Sequence, residues 1–255
     1  MSFPSGYDNA CALELAKLSR AAYRQYSRFT TRNMGDWRVP TGYTLHATMT
    51  AVYETGNPPI GFIASKGTAL YLAWRGTDDA SEWIQDAKFD QIECSFLSGG
   101  VSVELGFHEL YTTGSRALDS PQTTVMDYVK SNAARYSAVY VTGHSLGAAL
   151  AVLNAAEIAR STSCKTPIMY SFAGPRVGSP AFASAYNELV KSSWRVVNTN
   201  DEVPRVPADE MGTDGYEHVN QEVPITFGSG WIWHWGQDHS LTNYIQQLET
   251  LNSSG

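Results

Sequence analysis

Cysteine is scarce in this 255-residue chain: three residues, Cys11, Cys94 and Cys164, lie far apart. No CxxC pair occurs, which argues against a thiolate metal cluster or a dithiol redox motif. An odd count allows at most one internal disulfide, so a disulfide-built scaffold is excluded. Positive charge is also in deficit, with 18 Lys and Arg against 25 Asp and Glu, a net charge of −7 and a pI of about 5.3. A nucleic-acid binder normally shows a basic footprint, and that footprint is missing from the totals. The same balance implies that any docking on anionic lipid relies on apolar contact. No apolar run reaches the roughly 18 residues of a membrane span. The opening MSFPSGYDNA lacks a basic segment followed by an apolar one, so no secretory leader is read there. The expected compartment stays open between secretion with a trimmed leader and the cytoplasm. Repeats and low-complexity linkers are absent too, and residues 1–255 read as one domain.

What is present is ample core material: 43% hydrophobic residues and only 17% charged. Residues 9–26 read as an amphipathic helix, with Leu13, Ala16, Leu18 and Ala21 near helical spacing and Asp8 as a cap. Residues 44–53, 60–65 and 69–74 read as strands, broken by Gly56-Asn57-Pro58-Pro59 and Lys66-Gly67. Residues 108–132 read as largely helical, interrupted at Ser120-Pro121. Three strand–turn–helix units follow, with strands at 138–142, 168–173 and 194–199. This alternation predicts parallel strands with crossover helices, an α/β fold. The tail, 241–251, places Leu241, Tyr244, Ile245 and Leu248 on one helical face.

Gly143-His144-Ser145-Leu146-Gly147 has the G-x-S-x-G pattern, with a strand before it and a helix after it. The chemistry needs both. A serine at the tip of a sharp turn takes unfavourable backbone angles, and flanking glycines remove the Cβ clashes. Ser145 is therefore the candidate nucleophile, and the N–H of Leu146 at the helix start is a candidate oxyanion donor. A lone serine is weakly nucleophilic and needs a base and an orienting acid. The partners follow in the order acid, then histidine. Asp201 stands at the carboxyl end of the strand at 194–199 and ranks ahead of its neighbour Glu202. Of the later histidines, His239 lies at a loop-to-helix boundary, free to enter a cleft. His218 falls in an alternating stretch, 216–223, that reads as a strand, and His234 is flanked by Trp233 and Trp235. His144 should point into the sheet.

Taken together, Trp74-Arg75-Gly76-Thr77, Gly106-Phe107-His108, GHSLGAALA, Phe172-Ala173-Gly174-Pro175-Arg176-Val177-Gly178 and Asn200-Asp201-Glu202-Val203-Pro204 resemble the lipase class 3 family, the fungal lipase-like α/β hydrolases. The resemblance runs from about residue 70 to 244. It implies an α/β-hydrolase fold, a mostly parallel central sheet flanked by helices, with Ser145 as nucleophile, Asp201 as acid and His239 as base. It adds Thr77 as an oxyanion residue, which the residues alone do not single out. It also implies a lid over 78–89, where Trp83, Ile84 and Ala87 share one helical face. That helix either covers an apolar cleft or packs its stripe on the core as an ordinary surface helix. The run over 228–235, with three tryptophans, either lines an acyl pocket or forms a packed surface cluster.

The expected activity is that of a serine carboxylic-ester hydrolase, first a triacylglycerol lipase at a lipid–water interface. The alternatives are a carboxylesterase, a feruloyl esterase or a phospholipase A1, and, in another class, a non-catalytic binding protein. No metal or organic cofactor is expected.

Overall fold

A computed structural model of the chain describes residues 3–51, 57–77, 89–114, 116–117, 124–164, 166–210, 212, 214–219, 221–228 and 235–253. In chain order the elements are helix α1 (Asn9–Thr30), strands β1 (Thr44–Thr50), β2 (Pro59–Lys66), β3 (Ala69–Trp74), β4 (Gln91–Glu93) and β5 (Ser102–Glu104), helix α2 (Leu105–Gly114), strand β6 (Arg116–Ala117) and helix α3 (Val125–Asn132). Then follow β7 (Ala138–His144), α4 (Leu146–Ser161), β8 (Ile168–Phe172), α5 (Pro180–Leu189), β9 (Ser192–Asn198), β10 (Glu222–Ile225), α6 (Trp235–Asp238) and α7 (Leu241–Ser253).

Among the described residues eight strands form one sheet, in the order β10-β9-β8-β7-β3-β2-β1-β6. From β3 through β7, β8 and β9 to β10 every neighbouring pair is parallel. The chain enters through an antiparallel meander, β1-β2-β3. Successive side chains of a strand face opposite sides, and the sheet is covered on both. Leu70, Leu72 and Trp74 of β3 join a core with Phe107, Val129, Leu150 and Phe182 from α2, α3, α4 and α5. Tyr71 and Ala73 point the other way, into a core closed by Leu15 and Leu18 of α1 and Tyr244 and Leu248 of α7. Burying each such large apolar side chain contributes about 1.5–3 kcal/mol.

Local chemistry explains the ends of the elements. Asp8 caps α1 by accepting the Cys11 N–H at 2.9 Å, as its position predicts. Thr124 and Asp127 form a reciprocal capping box at the start of α3. Ser179 caps α5 with Pro180 in its first turn. Helix α1 runs four residues beyond the predicted end. The 108–132 stretch resolves into α2 and α3 with the short strand β6 between them.

One strand expectation fails. Residues 216–219 are not in a regular strand; Glu217 makes only an isolated bridge to Gly178, and the pairing with β9 begins at Glu222. Alternation of side chains is not enough there, because no neighbouring strand offers its edge until the chain reaches β9. Pro224 is tolerated in β10 because that strand is at the sheet edge. No disulfide joins the cysteines. No described helix is long and apolar enough to cross a membrane.

Candidate active site

The turn between β7 and α4 carries Ser145. Its backbone has φ 58° and ψ −130°, a conformation that side-chain-bearing residues rarely adopt. Such a residue stores about 1–3 kcal/mol of strain and persists only where its surroundings impose it. Here the Ser145 N–H donates to Phe172 O at 3.0 Å, and Ser145 O accepts the Ala148 N–H at 2.8 Å. The glycines are obligatory. A Cβ on Gly143 would stand 2.0 Å from Gly147 O, and one on Gly147 would stand 2.6 Å from Trp74 O. Gly76 is pressed into the same corner, where a Cβ would meet the Tyr23 hydroxyl at 2.3 Å and Ser145 Cβ at 3.1 Å. This contact brings the end of β3, and with it Thr77, alongside the serine.

Ser145 Oγ and Thr77 Oγ1 are both buried with no hydrogen-bond partner among the described residues. A buried hydroxyl left without a partner is expensive, which marks the place as one reserved for something else. Leu146 is the first residue of α4, so its N–H belongs to the helix start, where no intrahelical acceptor exists.

Asp201 and His239, 38 residues apart in sequence, meet directly: His239 Nδ1–H donates to Asp201 Oδ2 at 2.9 Å and lies 3.1 Å from Oδ1. Both side chains are almost wholly buried. His239 occupies the turn between α6 and α7, and Asp201 follows the carboxyl end of β9. Asp201 also accepts the Val203 N–H at 3.0 Å and the Tyr244 hydroxyl at 2.9 Å. Glu202 faces away and pairs with Arg205.

The histidine loop is held from two sides. Asn198, the last residue of β9, donates its amide to Asp238 O at 2.9 Å. His144 Nε2–H donates to His239 O at 2.9 Å, and its ring lies 4.7 Å from the His239 ring. With Nε2 bound to a carbonyl, His144 Nδ1 must be the acceptor, and it takes the Tyr23 hydroxyl at 2.9 Å. Burial, reinforced by His239, holds the His144 imidazole well below its ordinary pKa, consistent with this neutral tautomer. His144 thus ties the serine's neighbour to the histidine's backbone.

The structure sets the other histidines apart. His218 Nε2–H donates to Pro204 O at 2.6 Å, and burial beside Arg195 pushes it down to about 3. His108 Nε2 accepts the Ser95 N–H at 3.3 Å, and His46 bonds Ser65 Oγ at 2.8 Å. The lid residues Trp83, Ile84 and Ala87, together with Trp231, Trp233 and His234, lie outside the described residues. Sequence reasoning missed Tyr23, Asn198 and Tyr244 as members of this constellation. Only Tyr244 gave a signal, as a hydroxyl on an otherwise apolar helix face.

This fold and this turn are those of the α/β hydrolases. The lipase (class 3) family profile matches residues 71–211, and the chain belongs to that family. The chain is 37% identical over 161 residues to phospholipase A1-Igamma3 (chloroplastic) of Arabidopsis thaliana, covering 54% of this chain and 30% of that protein. It is 36% identical over 168 residues to secreted mono- and diacylglycerol lipase A of Penicillium cyclopium, covering 65% of this chain and 52% of that one. The matches thus span about a third to a half of these relatives. Among solved structures, a mutant of MDLA from P. cyclopium superposes with a TM-score of 0.69 at 28% identity, covering 88% of this chain and 82% of that one. Rhizomucor miehei triacylglyceride lipase gives a TM-score of 0.67 at 25% identity, over 85% and 79%.

Proposed function

We propose that the protein is a serine carboxylic-ester hydrolase acting on acyl esters of glycerolipids. The observation that carries this reading is the strained Ser145 turn with the Asp201–His239 pair held beside it by His144. Asp201 fixes the tautomer in which His239 Nε2 carries the lone pair. His239 then removes the Ser145 proton as Oγ bonds to the ester carbonyl carbon. The carbonyl π electrons move to oxygen, where the Leu146 and Thr77 N–H groups hold the negative charge. Collapse of this intermediate breaks the bond to the alcohol, which leaves with the proton from His239. Water repeats the sequence on the acyl-enzyme and releases the acid. Every step uses groups of this chain and water.

Acylglycerol hydrolysis is the first reading of substrate, supported by the named activities of the P. cyclopium and R. miehei proteins. The Arabidopsis relative favours phospholipase A1 as the second. A chain-length series of p-nitrophenyl esters, run beside a triacylglycerol emulsion, phosphatidylcholine vesicles and methyl ferulate, tests both. A rate that rises sharply when the acylglycerol exceeds its solubility supports the first reading. Turnover of methyl ferulate alone overturns the glycerolipid assignment.

A further inference from the structure

The net charge of −7 conceals an uneven distribution. Residues 15–43 contain six basic residues and one acid, Asp36; the rest of the chain contains twelve basic and twenty-four acidic residues. Arg20, Arg24 and Arg28 follow one another at four-residue spacing on successive turns of α1, and Arg32 lies two residues past its end. Arg24, Arg28, Arg32 and Arg38 are exposed. None of the ion pairs among the described residues involves any of these four. Arg38 donates to the carbonyls of Gly35 and Trp37, which fixes it across from Arg24 and Arg28 on a cleft of about 650 Å³. Phe29, on the same helix end, is with Leu45 and Ile92 one of the exposed large apolar side chains among the described residues.

Two contacts locate this face. Ser19 Oγ lies 3.2 Å from Thr142 Oγ1, and four residues later Tyr23 reaches His144. Helix α1 therefore reaches the carboxyl edge of the sheet near Tyr23 and leans across toward β1, with Gln25 donating to Thr48 Oγ1 at 3.0 Å and the Arg75 guanidinium, next to Gly76, over the Tyr26 ring. Past these contacts, Ser27, Arg28, Phe29 and Thr30 at the helix end are exposed. Ser145 stands at the same edge, so the helix end that carries Arg24 and Arg28 lies beside the rim of the proposed nucleophile.

We infer that this arginine face docks the protein on an anionic lipid surface, with the Ser145 rim turned toward it. The inference rests on the ester-hydrolase reading for its benefit to catalysis, and its physical basis is the charge. The totals, which point to apolar contact alone, mislead because they average over a segment of opposite sign. A lipid surface suits the face better than a polyanion in solution does. Phe29 offers an apolar group to enter it, and the rim beside the patch is where a lipid ester is proposed to react.

The test uses the full chain carrying Ser145→Ala, floated with vesicles of phosphatidylcholine alone or of phosphatidylcholine rich in phosphatidylglycerol. Stronger binding to the anionic vesicles, weakened by added salt, is expected. Each basic group near such a surface is worth about fivefold in binding, and Arg→Glu reverses the charge as well as removing it, so the triple variant Arg24→Glu/Arg28→Glu/Arg32→Glu should bind at least about a hundredfold more weakly. Equal binding to both vesicles, unchanged binding of the variant, or displacement by millimolar inorganic phosphate overturns the inference. Should the triple variant fail to melt cooperatively, Arg28→Gln/Arg32→Gln at the exposed helix end gives the same reading. Turnover of a soluble ester by the wild-type chain is measured separately. Its absence sinks the enzyme reading without touching the vesicle result, and vesicle indifference with normal turnover sinks the docking face alone.

Discussion

The Tyr244 hydroxyl donates to Asp201 Oδ2 at 2.9 Å while accepting the Asn198 backbone N–H at 2.8 Å. The N–H occupies the hydroxyl's lone pair and thereby aims its proton at the carboxylate. The C-terminal helix α7 thus helps to position the acid that orients His239. Tyr244→Phe keeps the ring and removes the bond. A hydrogen bond to a charged group is worth about 1.5–3 kcal/mol, so kcat on a short p-nitrophenyl ester should fall about 10- to 100-fold. KM should stay nearly constant, because Tyr244 bonds only protein groups. A rise in KM at unchanged kcat would assign Tyr244 to substrate binding instead.

Asp201→Asn preserves shape and reverses the logic of the pair. An amide can donate to His239 Nδ1, which leaves the proton on Nε2, the nitrogen that must act as base. Steady-state kinetics should show kcat lowered by about 10³–10⁴, with the melting temperature near wild type. Glu202→Gln, which touches only Arg205, should leave turnover within about twofold.

Glycine geometry makes a prediction about stability. Gly143→Ala places a methyl 2.0 Å from the backbone oxygen of Gly147, where nothing flexible can yield. Thermal or urea melts should show a loss of about 3 kcal/mol or more, or no soluble protein. Gly35→Ala is the control, with nothing within 4 Å of the new methyl, and should melt within about 0.5 kcal/mol of wild type.

Two depressed histidines set a pH dependence. His144 and His218 are neutral in the fold at pH values where an unfolded histidine, titrating near 6.5, takes up a proton. The unfolded state therefore binds more protons below pH 6.5, and stability falls as the pH drops. For His218 the loss continues down to about pH 3. Each site contributes up to about 1.4 kcal/mol per pH unit in that window. Urea melts between pH 7 and 4.5 should show it. His218→Gln, whose amide can still donate to Pro204 O, should flatten the slope by one proton. An identical slope in the variant would assign the acid sensitivity elsewhere.

The GHSLG turn was legible in the sequence because its requirements are local: two glycines, a strand before and a helix after. The parallel half of the sheet was legible for the same reason, since each strand–turn–helix unit carries its own signals. The 216–223 stretch was not, because alternation records which faces are covered and says nothing of a pairing partner. The order Asp201 then His239 was readable, but their contact depends on where α7 docks. The roles of Asn198 and Tyr23 depend on that docking and on α1, and no local pattern encodes them. The basic face of α1 was hidden by the arithmetic of net charge, although its four-residue spacing was on view in the sequence.

The most direct measurement is covalent. A fluorophosphonate added to the native protein should phosphonylate one residue, and peptide mass spectrometry should place the adduct on Ser145. His239→Ala should slow labelling by several orders of magnitude, because the serine then lacks its base. An unlabelled native protein, or an adduct on a different side chain, would contradict the account.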